Sequence, residues 1–70
     1  MATQREILEK IGMELKVARV RAKLRRSQVC KITGFHKDTL ASMENGTTDT
    51  RISLYMRLAE ALGISLKDIL

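Results

Sequence analysis

The stretch Arg26–Gly46, RSQVCKITGFHKDTLASMENG, decides how this chain is read. Its pattern predicts two short helices joined by a tight turn. Cys30 puts a small side chain inside the first helix, which lets the second cross close by. Gly34 follows four residues later, where a left-handed backbone carries no Cβ penalty. Leu40 and Met43, three apart, turn one face of the second helix into a core. His36, Lys37, Asp38, Ala41 and Ser42 are then left outward, available to a partner.

Near the N-terminus, Thr3 with Glu6 reads as a capping box. Ile7, Ile11, Leu15, Ala18 and Ala22 continue at helical spacing, so a helix is expected from Gln4 to about Lys23. Gly12 inside it costs roughly 1 kcal/mol relative to alanine and permits a close helix crossing. Leu24 begins a short connection. The next helix, about Arg26 to Thr33, is expected to bury Val29, Cys30 and Ile32. Arg25 stands at its cap position, where Ser or Thr is usual; Ser27 is an alternative cap that would start the helix two residues later. Gly34 and a buried Phe35 form the turn. The third helix is expected from about Lys37 to Asn45, with His36, a poor capper, at its N-cap, Asp38 on the positive end of the helix dipole, and Gly46 as its stop. After the polar loop Thr47–Thr50 comes a fourth helix, about Arg51 to Leu62, with Ile52, Tyr55, Leu58, Ala59 and Leu62 as its apolar stripe. Gly63 stops it. Ser65 and Asp68 read as the cap of a fifth helix, Leu66 to Leu70. The reading is therefore all-α: a compact five-helix bundle and a single domain over residues 1–70.

The 70 residues include no Pro, no Trp, one Phe and one Tyr, so the core must be aliphatic and small. Such a core is marginal, and dimerisation or a longer parent chain would help it. A net charge of +5 and a pI near 9.9 favour a polyanionic partner. The distribution is more telling. Between Leu15 and Lys37 lie Lys16, Arg19, Arg21, Lys23, Arg25, Arg26, Lys31 and Lys37, with no acid among them. This cationic run coincides with the two short helices, an arrangement that fits a second helix entering the DNA major groove. Arg25, Arg26, Asn45 and Thr47 are the candidates for phosphate contacts, the alternative being that the cluster is only a solvated face.

One cysteine allows no intramolecular disulfide, no apolar run approaches a membrane span, and the N-terminus lacks a signal peptide's apolar core. A cytoplasmic, nucleoid-associated protein is the expectation. His36 has no second ligand at metal spacing, so no metal is expected. It could instead reach a phosphate or a base edge. Cys30 reads as a small structural residue rather than a reactive thiol. No nucleophile, base and orienting group assemble, nor any phosphate-cradling glycine loop, so neither an enzyme nor a cofactor is expected.

Several residues recur in a known order: Ile11-Gly12, Leu15, Arg19 and Leu24; then Gly34, Leu40 and Glu44-Asn45-Gly46; then LAEALGISL from Leu58 to Leu66, followed by Asp68 and Ile69-Leu70. Over Ile11–Leu70, without gaps, this set resembles the lambda-repressor/Cro-like helix-turn-helix family of bacterial and phage regulators. The resemblance implies that helices 2 and 3 form the motif, about residues 26–46. It also implies a transcriptional regulator that binds double-stranded DNA as a homodimer on an inverted-repeat operator. It pairs Arg19 with Glu44 as a structural ion pair. Lys37, Asp38 and Ser42 match base-reading positions, and Thr39 matches one that borders the backbone. For Asp38 the alternative is a cap only, and for Thr39 a plain surface residue. Dimerisation in the family uses the fourth-to-fifth helix region, here Tyr55, Met56, Ile64, Leu66, Ile69 and Leu70, which could instead only close the core. The chain departs from the family at Arg25-Arg26, where Ser/Thr-Gln is favoured; arginine at the second position keeps a phosphate contact but reads no sequence. It departs again at Thr50, where proline is common. The other readings are an antitoxin-type or adaptor module that binds protein through the same fold, and, ranked lowest, adhesion of the basic first helix to an acidic membrane.

Overall fold

A computed structural model describes residues 2–69. Its order is α1 Gln4–Arg21, α2 Arg26–Thr33, α3 Lys37–Asn45 and α4 Ile52–Ala61, closed by a single 3₁₀ turn at Leu66–Asp68. Among the described residues four α-helices are present rather than five. The expected fifth is one i→i+3 turn, Ile69 N–H donating to Leu66 C=O at 3.0 Å. The Ser65 side chain makes no cap bond there, so nothing offsets the cost of nucleating a helix. Leu70 lies outside the described residues.

Thr3 caps α1 through a complete capping box with Glu6. The helix ends two residues earlier than its apolar spacing suggests, because Lys23 takes a left-handed backbone, φ 58°. Leu24 N–H then reaches back to Arg19 C=O and Lys23 N–H to Val20 C=O, the double bond of a Schellman ending. α2 begins at Arg26, which removes Ser27 as a cap. An arginine has no acceptor to offer, and only half a box forms: Gln28 Oε1 accepts from Arg25 N–H at 2.8 Å. Gly34, at φ 79°, turns the chain into Phe35. The buried Thr33 hydroxyl donates to Val29 C=O and accepts from Phe35 N–H, holding the turn.

Ile11, Leu15, Val29, Phe35, Leu40, Met43, Tyr55, Leu58, Ala59 and Leu66 form one core shared by all four helices and the 3₁₀ turn. Cys30 packs against it half-buried. Ile7, Ala22, Ile32 and Ile52, all expected inward, are exposed. Ile32 is in the last turn of α2, one position before Thr33, which takes the buried place. Ile52 yields the inward face of α4 to Tyr55, three residues on. The radius of gyration, 11.0 Å, matches the ~11 Å of a close-packed chain this long.

α3 is mounted on α1 by two glycines. A Cβ at Gly12 would collide with the backbone carbonyl of Met43 and lie 2.7 Å from that of Glu44. A Cβ at Gly46 would lie 2.7 Å from the Glu9 backbone nitrogen. Only hydrogen at these positions lets the helices approach so closely. At the other end of α1, Gln4 Nε2 donates to Asp49 Oδ2 at 2.8 Å and ties the helix to the loop after α3.

Candidate nucleic-acid interface

α3 has two unlike sides. Leu40, Met43 and Glu44 are buried; Lys37 and Asp38 are exposed; Thr39, Ala41 and Ser42 lie half-buried at the margin. All three residues expected to read bases are therefore accessible on one short helix. Asn45 and Thr47 are exposed at its C-terminal end. Thr47 also closes that end, its N–H and hydroxyl both donating to Ser42 C=O.

The N-terminal end corrects one expectation. His36 does cap α3: its Nδ1 accepts from Asp38 N–H at 3.2 Å. An imidazole acceptor stands where a Ser or Asp oxygen usually does. With Nδ1 accepting, the neutral ring carries its proton on Nε2, a donor free to meet an anion. Asp38 Oδ2 lies 3.6 Å from the same Nδ1.

Glu44 organises the rest. Its side chain is 1% exposed, and it accepts from Arg19 Nε at 2.7 Å and from Arg26 Nε at 3.1 Å. Arg19 Nη2 adds a longer contact at 3.4 Å, while Nη1 donates to Leu24 C=O at 2.9 Å. One carboxylate thus joins α1, α2 and α3, and no buried side-chain polar atom among the described residues lacks a partner. The Arg19–Glu44 pair is present; the attachment of Arg26 to the same carboxylate is a further feature of the structure. Arg19 consequently belongs to the interior, not to the outward charge. Arg25, Lys31 and Lys37 remain exposed, and Arg26 is half-exposed.

A cation absent from the sequence reading is Arg57, whose guanidinium lies 5.8 Å from the centre of the Phe35 ring. It brings positive charge from α4 to the turn that precedes α3. No periodic pattern in the sequence signals that contact.

The residues expected to pair two subunits divide. Tyr55 is 1% exposed, and its hydroxyl donates to Thr48 C=O at 3.1 Å, so its side chain is committed to its own core. Leu66 is likewise buried. Met56 is exposed, Ile64 and Ile69 are half-buried, and Ile52 joins Met56 and Ile64 along a shallow apolar groove between α4 and the 3₁₀ turn. Among the described residues no three His, Cys, Asp or Glu side chains gather as metal ligands, and no described helix is long and apolar enough to cross a membrane.

A search of curated proteins gives no match. A search of protein families matches residues 10–69 to the helix-turn-helix domain, which takes in all of α2, α3 and α4. With α2, the Gly34 turn and α3 in the places the resemblance implied, the chain belongs to the helix-turn-helix domain family, consistent with its lambda-repressor/Cro-like character.

Proposed function

We propose that this chain is a sequence-specific double-stranded DNA-binding regulator of transcription. The observation that carries the reading is the two-sidedness of α3. Its inner side is fixed by the core, two glycines and Glu44, while its outer side offers Lys37, Asp38 and Ser42. In the major groove Lys37 would donate to guanine O6 or N7, Asp38 would accept from cytosine N4, and Ser42 would accommodate several bases. Arg25, Arg26, His36, Thr39, Asn45 and Thr47 would hold the phosphate backbone and fix the register. Arg57 joins that set. The proposal gives the chain a binding role and no catalytic one, and places it with the nucleoid in the cytoplasm.

We further propose a homodimer that meets through Ile52, Met56 and Ile64, with half-sites roughly 34–36 Å apart. Apolar side chains left exposed along one groove support that surface.

Titrating the chain onto a duplex at several salt concentrations tests the first proposal. With six to ten phosphate contacts, affinity should fall by about 10³–10⁵ between 50 and 200 mM salt. A flat dependence contradicts it. Sedimentation tests the second: a dimer supports it, and a monomer at high micromolar concentration contradicts it.

A further inference from the structure

We propose that Glu44 is a positioning residue for DNA binding, acting through Arg26; the inference rests on the DNA reading above and deepens it. A guanidinium carries five N–H donors in a rigid fork. In Arg26 the Nε donor is taken by Glu44 Oε1 at 3.1 Å. Its two Nη groups have no protein acceptor among the described residues, and 41% of the side chain is exposed. Glu44 itself is held from the opposite side by Arg19, whose guanidinium is anchored on Leu24 C=O. Its carboxylate is therefore a fixed point. A long side chain that would otherwise sample many rotamers at the start of α2 is held by one end, with its paired donors left to solvent.

Electrostatics keep this group attractive to an anion. Two guanidiniums around one carboxylate leave the cluster with a net positive charge, so Arg26 is oriented without being neutralised. The partner that suits two parallel N–H donors is a phosphodiester oxygen pair of duplex DNA. Holding the fork in place before binding lowers the ordering cost of the contact. Lysine has the charge but not the fork: its single nitrogen cannot keep the Glu44 contact through one group and present two parallel N–H donors through others.

The experiment measures affinity and salt dependence for an enriched duplex with the wild type, Arg26→Ala, Arg26→Lys, Glu44→Gln and the double variant R26A/E44Q, alongside thermal melting of each. Arg26→Ala should lower affinity by about tenfold and reduce the salt slope by about one per subunit. Arg26→Lys should lose most of that tenfold with its charge intact and its melting temperature nearly unchanged. Glu44→Gln should weaken binding severalfold when Arg26 is present and add no further loss in the Arg26→Ala background.

Arg26→Lys binding like the wild type would overturn the inference, because charge alone would then suffice. So would equal losses from Glu44→Gln in both backgrounds, which would make Glu44 merely structural. If Glu44→Gln fails to fold, Glu44→Asp takes its place, and equal losses from it in the wild-type and Arg26→Ala backgrounds overturn the inference. A wild type that binds no duplex overturns the DNA reading beneath; a wild type that binds while the Arg26 variants bind equally well overturns only this step.

Discussion

The contact between α1 and α3 and the contact between α4 and the terminal 3₁₀ turn are built on different principles. The first is over-determined. Two glycines leave no room for a Cβ, a buried carboxylate joins three helices, and Leu15, Leu40 and Met43 are fully covered. The second is open. Ile52 and Met56 stand 55% and 49% exposed, and the 3₁₀ turn is capped by no side chain. Rigidity is concentrated where the outward side of α3 must be held at a fixed angle, and apolar surface is left where a second copy would sit. A helix that reads base edges needs positional accuracy more than the rest of the domain does, since hydrogen bonds weaken steeply with distance and angle.

Breaking the tight contact should give the largest effects. Glu44→Ala leaves Arg19 partly buried without its carboxylate, and should cost about 3–5 kcal/mol. A domain this small holds little more than that, so thermal melting followed by circular dichroism should show a chain mostly unfolded at room temperature. A melting temperature within a few degrees of the wild type would mean that the ion triad is incidental. Gly12→Ala comes next. Its gain of about 1 kcal/mol in helix propensity should be outweighed by overpacking against the Met43 and Glu44 carbonyls, for a net loss of about 2 kcal/mol. That corresponds to a drop of roughly 8–16 °C in melting temperature. A rise would show that α1 and α3 can part without penalty.

Substitutions away from the contact between α1 and α3 should cost less. Tyr55→Phe removes the bond to Thr48 C=O and should cost about 1 kcal/mol in chemical denaturation. It also tests a pH effect. Burial, and secondly the charge of Asp49, raise the Tyr55 phenol above its usual 10.0. The folded state therefore keeps a proton that the unfolded state loses first. The wild type should hold this contribution in full below pH 10 and lose it as pH climbs toward the raised value, and Tyr55→Phe should lack that decline. Equal alkaline profiles would contradict the assignment. Met56→Lys should be the mildest, within about 0.5 kcal/mol of wild-type stability. Its consequence should appear in sedimentation, as loss of any dimer. A dimer that survives unchanged would put the interface elsewhere.

The same contrast explains what could be read from the sequence. α2 and α3 were legible to the residue because glycine stops at Gly34 and Gly46 bracket a clear apolar spacing at Leu40 and Met43. The Arg19–Glu44 pair came through resemblance, and the structure contains it. Arg26 was legible as a cation but not as a second partner of Glu44, because the two are 18 residues apart and only the fold brings them together. α4 misled the reading, since Ile52, Tyr55, Met56, Leu58 and Ala59 offer apolar residues on more than one side and periodicity does not say which faces inward. Tyr55, Leu58 and Ala59 are buried as the expected stripe predicts, and Ile52 is the member of it that faces solvent. The end of α1 was missed because a lysine, not a glycine, adopts the left-handed conformation at Lys23. The capping by His36 was missed because imidazole nitrogens are seldom considered as cap acceptors.

On the proposed function, the outer side of α3 reads DNA sequence. Its most direct test is selection of bound duplexes from a random pool at one moderate salt concentration, with the wild type and with Lys37→Ala. The wild type should enrich an inverted repeat, and Lys37→Ala should relax one position in each half-site. Binding without any enriched motif would contradict it: the basic residues would then be an electrostatic patch alone, and a protein-binding role of the antitoxin or adaptor type would become the better account.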